Sequence, residues 1–517
     1  MKTMKKLFVC LLAVMMLAAT LLLPASAAGY TIKINSDHDT HKYTAYQIFT
    51  GTLDGSVLSN LVWGNGVTVE GQAALQTLYS KSDASGIAGT LSDTTVAAFA
   101  ENVAQYLNES NGEEGEYKSA TKQFVISDLE AGYYLIVETT ADSEMNGSEH
   151  AYSKHMLRIV NNVELSPKAG VPTLSKEVKL GAAGTYKEAV SATVGDTVYF
   201  RLTASLHTYV HDYEKCYFRF EDVLPAGLTF ESATVSVLSG TTSYAMDPGS
   251  YSVDTAGAVN VTIQDIHAAI RAATNSPTVI SDKIVVEIET KVNSNLVLGS
   301  GGNENKAKLY FSNNPNEDYT GTGTPGSVGV TNEAKAIVYS YQVNLTKVDA
   351  ADSATKLRGA QFILGYKNGD STYTWFTADA NGVVNGTTAS EDSATRFTTN
   401  ENGLLSVKGL ASGTYHIREK VAPAQYNLLT SDIIVQYSGS LSQDTGTLNA
   451  LTITSVSGVS SSSTDVDTGA INLTVTNTKG AVLPETGGIG TTIFYVAGIV
   501  LMLGAAAVII AKKRETK

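Results

Sequence analysis

Short runs in which apolar and polar side chains alternate recur along this 517-residue chain: "YTIKI", "FVISDL", "YYLIVE", "DTVYFRLTA", "KIVVEIETKV", "YQVNLTKV" and "INLTVTN". Successive side chains of a strand point to opposite faces, so a period of two rich in β-branched and aromatic residues describes a strand buried on one face. Gly, Asn, Asp and Ser separate the runs and supply the turns. Helical spacing is scarce. Its best instance is "DTTVAAFAENVAQYL" at 93–107, with Ser92 or Thr94 near its cap. The pattern predicts an all-β chain of tandem β-sandwich modules, with a small helical component in the N-terminal one.

The two ends break the pattern. Residues 1–27 carry Lys2, Lys5 and Lys6, then an apolar stretch, then Ala25-Ser26-Ala27, the layout of a secretory signal that is removed. Residues 491–511 are apolar and, at about 1.5 Å per residue, would span roughly 30 Å of bilayer as a helix. Lys512, Lys513 and Arg514 follow and hold the tail on the cytoplasmic side. A plain anchor explains the span and the charges. It does not explain Leu483-Pro484-Glu485-Thr486-Gly487 just ahead of them.

Between the ends, residues 28–486 have room for about three domains of ordinary size. Three blocks are expected at 28–166, 172–340 and 341–480, with a short junction at 167–171 and an almost continuous strand at the second boundary. Such joints are stiff. "FVISDLEAGYYLIVETTA" and "LLSVKGLASGTYHIREKVA" form a weak repeat between the outer blocks. Of the chain's 36 basic and 50 acidic side chains, three basic ones lie in the leader and four basic and one acidic after Gly487, which leaves a net charge of −20. That excludes nucleic acid and anionic surfaces as natural partners. Cys10 departs with the leader, so Cys216 stands alone and no internal disulfide can staple an exported protein of this size.

The order motif, apolar span, basic tail resembles the cell-wall sorting signal of Gram-positive surface proteins, here residues 481–517. The resemblance implies that a sortase cysteine cleaves between Thr486 and Gly487 and passes the Thr486 acyl group to an amine. In "GTYHIREKVAPAQY", Tyr415, Ile417, Glu419, Ala422, Pro423 and Tyr426 are similar to the E-box of sortase-assembled pilins, with Ile417, Lys420 and Gln425 as departures from Leu, Thr and Gly. In "NVELSPKAGVPT", Val163, Leu165, Pro167 and Lys168 resemble the pilin motif, although Ile159, Ser166 and Ala169 depart from it. Together these identify a resemblance to Gram-positive sortase-assembled major (backbone) pilins. They imply immunoglobulin-like, Cna-type sandwiches, the last of them CnaB-like.

The resemblance also assigns chemistry. In the last block it pairs Lys347 with Asn477 across first and last strands, with Glu419 as catalyst. A lysine buried in an apolar core loses its proton and becomes a nucleophile, and a buried, protonated acid can polarise the Asn carboxamide until ammonia leaves. In the middle block the set is Lys176, Asp222 and Asn305, with Lys179 and Asn303 as rivals. In the first block a thinner set is Lys33, Glu138 and Asn161 or Asn162. Lys168 is the implied nucleophile toward Thr486 of another copy.

The implied partners are a pilus-specific class C sortase, identical subunits, minor pilins, peptidoglycan and a host surface ligand. No cofactor is implied. His38, Asp39 and His41 stand close together, but they read as a polar turn and not as a metal site. No GxSxG, HExxH or P-loop pattern suggests an enzyme, so self-cross-linking is the one reaction expected of the chain. A wall-anchored adhesin or minor pilin that does not polymerise through Lys168 is the alternative, and a wall-anchored enzyme a more distant one.

Overall fold

The alternating runs become strands, and the strands assemble into three successive pairs of sheets. The computed structural model describes residues 29–54, 57–159, 162–369, 371–481 and 489–515. The leader, Asn161 and the motif from Leu483 to Gly487 lie outside the described residues.

In the first unit, Tyr30–Asn35 pairs antiparallel with Gln123–Leu129 and parallel with Val163–Leu165. The facing sheet runs Val57–Trp63, Tyr43–Asp54, Tyr133–Glu138, Met156–Ile159. Ile32, Ile34, Tyr43, Phe124 and Ile136 fill the space between them. The other face of the second sheet has its own core, in which Ile48, Phe49 and Leu135 meet Phe99 and Val103 from the helix Val96–Ala104. That helix occupies the middle of the expected 93–107 segment. Two more, Val69–Tyr79 and Ala84–Ala88, lie outside the expectation. Both start at a side-chain cap, Thr68 accepting from Gly71 N–H and Asp83 from Gly86 N–H.

The middle unit packs a five-stranded sheet containing Thr173–Leu180, Thr197–Ser205 and Lys283–Val292 against a sheet containing Phe218–Val223, Asn303–Ser312 and Ala334–Tyr339. One apolar core lies between them. The helix Ile266–Thr274 belongs to this unit, where the sequence reading placed none.

The third unit places Ala470–Asn477 in the interior of its sheet, parallel to Tyr341–Asp349 and antiparallel to Ser461–Asp465. Gln361–Asn368, Gly413–Val421 and Ile433–Leu441 build the opposing sheet.

The second joint is one residue long. Ser340, fully buried, separates Ala334–Tyr339 from Tyr341–Asp349, and its hydroxyl donates to Ala192 O (2.9 Å) and Leu410 O (3.2 Å). At the same joint Gly299 (φ 74°) lets the two units touch, since a Cβ there would lie 2.3 Å from Asp467 O. Beyond the sandwiches, the helix Ile489–Glu515 contains the segment Thr492–Arg514, long and apolar enough to cross a membrane and not buried against the rest of the chain.

Candidate functional site: two buried lysine–asparagine clusters

The third unit holds the better defined cluster. Lys347 and Asn477 come from neighbouring parallel strands, and Glu419 reaches them from Gly413–Val421 in the opposing sheet. All three side chains are buried. The Asn477 carboxamide nitrogen donates to Glu419 Oε1 (3.0 Å) and Oε2 (3.1 Å), while its Oδ1 has no partner. Glu419 Oε2 also accepts from Leu429 N–H (2.8 Å), which fixes the carboxyl from the far side. Lys347 Nζ has Val475 O at 3.3 Å. Burial pulls the Lys347 ammonium down to about 8, against the opposing pull of Glu419.

The E-box segment continues past this cluster and ties down the chain's exit. Tyr426 Oη donates to Asp349 Oδ2 (2.7 Å), and Lys479 reaches the same oxygen (3.4 Å). Gly480 N–H donates to Gln425 O (2.9 Å). Gln425 stands where the E-box pattern has Gly, and its φ is +74°, so the chain keeps the left-handed turn without the residue that suits it.

In the middle unit, Lys176 on Thr173–Leu180 reaches across the core from one sheet to Asp222 on the other, and its Nζ is hydrogen-bonded to Asp222 Oδ2. Asp222 lies opposite Ala307, so it and Asn305 are diagonal neighbours on one face of the sheet. All three are buried. Burial pushes Lys176 down and Asp222 up, and each opposes the other's shift, which favours a neutral amine beside a neutral acid. Asn305 is close enough to ease the rise of Asp222, yet neither Asn305 polar atom, nor Asp222 Oδ1, has a hydrogen bond of normal geometry. Buried carboxamides are rarely left in this state.

The rivals do not share this site. Asn303 is saturated: Oδ1 accepts from Val297 N–H, and Nδ2 donates to Val297 O and Val338 O. Lys179 points away from the core, toward the rings of Tyr186 and Tyr199 and the carboxylate of Glu287.

The set expected in the first unit is not assembled. Lys33 is exposed, because Ile32 and Ile34 take the inward positions on either side of it. Glu138 is buried among other partners. Its Oε1 meets His41 Nδ1 (2.5 Å) and accepts from the Thr140 hydroxyl (3.0 Å), and its Oε2 accepts from Ser153 N–H (2.6 Å). Asn161 lies outside the described residues, and neighbouring Asn162 accepts from Thr31 N–H. His38 and His41 pack on His150, with ring centroids 4.3 and 5.3 Å away, a neighbour the local sequence does not reveal. Asp39 is exposed, and among the described residues no group of three or more His, Cys, Asp or Glu is placed to hold a metal ion.

Lys168 is exposed, three residues beyond the strand Val163–Leu165. The contrast among the lysines is the main feature of the arrangement: two are sealed in apolar cores beside an acid and an asparagine, and the third stands in solvent at the junction between units.

Comparisons with known proteins agree with this architecture. Residues 341–448 match the family described as SpaA, a prealbumin-like fold domain, and residues 475–517 match the LPXTG cell wall anchor motif. Over 404 residues, 67% of this chain and 70% of the relative, the sequence is 24% identical to the trypsin-resistant surface T6 protein of Streptococcus pyogenes serotype M6. The solved structure of the T6 backbone pilin of that serotype, described as modular and three-domain, is similar over 87% of this chain and 98% of that one, with a TM-score of 0.55 at 17% identity. That likeness is one of fold.

Proposed function

We propose that this wall-anchored surface protein, a sortase-assembled pilin by its SpaA-type domain, its LPXTG anchor and its relatives, is the subunit that polymerises into the shaft of a covalent pilus. The observation that carries the reading is the division of its lysines. Lys168 is the one offered to solvent at a junction, and Lys176 and Lys347 are committed inside. A sortase, of the pilus-specific class C, cleaves after Thr486, and the exposed amine of Lys168 in the next subunit takes the acyl group. Repetition makes the fibre, and the last Thr486 passes to peptidoglycan. Minor pilins and a host ligand are further partners of the same reading.

The buried lysines supply internal bridges. The neutral Lys347 amine attacks Cγ of Asn477, a C–N bond forms, and the Asn477 nitrogen departs as ammonia carrying the amine's proton. Turning the carboxamide over would place Oδ1 on Glu419, where a proton held by the acid polarises the carbonyl. Lys176, Asp222 and Asn305 play the same parts in the middle unit. The relative's name records trypsin resistance. Two bridges would give this chain the same property, because a protease acts on opened states and the bridges make opening rare.

The test is a ladder of high-mass species in wall extracts, with the peptide joining Thr486 to Lys168 identified by mass. Lys168→Arg keeps the charge but offers no usable nucleophile, since a guanidinium stays protonated. It should abolish the ladder while monomer still reaches the wall. A ladder that survives the substitution would assign the linkage to a different lysine, and a parent chain that forms no ladder would assign it to the adhesin reading.

A further inference from the structure

The proposed linkage dictates where tension runs. Force enters at Lys168, crosses from Lys176 to Asn305, follows the main chain to Lys347, crosses to Asn477 and leaves at Thr486. Residues 177–304 and 348–476 are bypassed, and the first unit is off the path. Residues 306–346 carry the load with no bridge across them.

That stretch begins as a hairpin. Asn305 pairs with Ala336 and Ala307 with Ala334, and the chain then leaves through Tyr339 into Tyr341–Asp349. Pulling on Asn305 and Tyr341 separates these strands from their open end, so the pairs are loaded one after another. Beyond Ala307 the hairpin opens into residues 313–333, which reach back to their own unit through Val328–Val330 on Tyr310–Ser312, Thr331 on Leu309, Lys215 Nζ on Thr320 O (2.7 Å) and Tyr319 Oη on Gln264 Oε1 (2.5 Å).

This loop is gripped by the unit that bears no load. Asn313 Nδ2 donates to Met145 O (3.0 Å) and His150 O (3.2 Å), and Tyr152 N–H donates to Asn313 O (2.7 Å). Asn316 donates to Ser153 O (2.9 Å) and accepts from His155 N–H (3.1 Å). On the returning limb, Gly147 N–H donates to Val328 O (2.6 Å) and Val330 N–H to Ser148 O (2.8 Å). The gripping segment is itself fixed to the rest of the first unit by Ser153 N–H on buried Glu138 and by Tyr152 Oη on Thr140 O (3.1 Å).

We infer that residues 141–155 of the first unit are a clasp on the middle unit, holding closed the one stretch of the tension path that the two bridges leave extensible. Both limbs of the loop are bound to the same segment, so the loop cannot run out until that segment is stripped away. This rests on the proposed linkage through Lys168, Lys176 and Asn305. It gives the first unit a mechanical task although no force passes through it.

Single-molecule pulling tests it on the mature chain, residues 28–486, with one handle on the thiol introduced by Lys168→Cys and the other at the C-terminus. Cys216 is buried and does not compete for the handle. Clasp variants are Asn313→Ala and, in case the fully buried Asn313 is needed for folding, the partly buried Asn316→Ala. Intact mass first confirms the same ammonia losses in all three proteins. From Asn305 to Lys347, extension is at most roughly 150 Å, at about 3.5 Å per residue. At one fixed force the variants should run out roughly tenfold sooner than the parent, with that same length, because each loses two hydrogen bonds. Equal run-out times in parent and both variants overturn the clasp. A run-out near 600 Å, about the length of the whole middle unit, means the Lys176 bridge is absent, and the underlying reading fails with the clasp.

Discussion

Lys347 and Asn477 occupy adjacent parallel strands two residues out of step: Lys347 pairs with Val475, and Asn477 with Asp349. An offset of two leaves both side chains on one face of the sheet. The backbone register therefore brings amine and carboxamide together before any bond is made. Glu419, from the opposite sheet, closes the third side.

The mature chain should weigh two ammonia molecules less than its sequence. A loss of one would most simply strike out the middle cluster. A loss of three would contradict the placement of Lys33, whose side chain is exposed and far from the chemistry a bridge requires. Intact mass of the secreted protein decides among these.

Glu419→Ala should fold and stay unlinked in the third unit, recovering one ammonia. The bridge closes a loop of over 100 residues, and its loss should cost about 5 kcal/mol on the chain-entropy account, seen as a lower melting temperature and new tryptic cuts. Asp222→Ala should do the same for the middle unit only. A variant that keeps its full cross-link count removes that acid from the mechanism.

The reaction of Lys347 needs the neutral amine. With its value near 8, against about 10.4 for a free lysine, the rate of bridge formation on refolding should rise about tenfold per pH unit below 8 and level off above it. Asn477→Ala, which leaves the lysine unlinked, turns the same shift into stability. Between pH 8 and about 10.4 the unfolded chain binds the proton that the folded one has released, so stability should increase with pH across that window, by roughly 3 kcal/mol in all, and be flat below it. Chemical denaturation at pH 7 and pH 10 reads the difference. A fall in stability with pH would mean that Lys347 is not held in its unprotonated form.

Gln425→Gly should raise the melting temperature slightly. The left-handed φ of +74° costs a side chain roughly 1–2 kcal/mol, partly offset by the greater freedom of glycine when unfolded. The net gain should be below about 1 kcal/mol. A loss of stability would show that the Gln425 side chain makes a contact worth more than the strain.

Much of this was legible before any coordinates. Strict alternation in "YQVNLTKV" and "INLTVTN" marks strands with their lysine and asparagine, and those strands are now seen side by side. What pattern could not supply was the state of each polar atom. Asn303 and Asn305 lie on the same face of one strand, and the difference between them is that Asn303 is saturated by Val297 and Val338. The helix Ile266–Thr274 was readable, with Asp265 as its cap and Ile266, Ala269 and Ile270 on one face, but it is short and lies among strands. Glu138 matched the expected order along the chain. Its partners His41 and Ser153 come from loops distant in sequence, which period and spacing do not see.

The position of Ala470–Asn477 inside its sheet sets a schedule for export. Tyr341–Asp349, the first strand of the third unit, reaches the outside more than a hundred residues before the strand it must pair with. That partner is followed by little more than a dozen residues before the apolar segment Thr492–Arg514. The unit therefore completes itself only when almost the whole chain has crossed, within a short tether of the membrane. On the proposed assembly the anchor would act as a clock as well as a tether. If Lys347 reacts and a sortase cuts after Thr486 as proposed, a halt at this point would give the last strand time to insert and the bridge time to form before the cut. A chain ended at residue 469 should leave the cell with its third unit unformed and open to trypsin, and a protease-resistant third unit in that product would remove the need for any such delay.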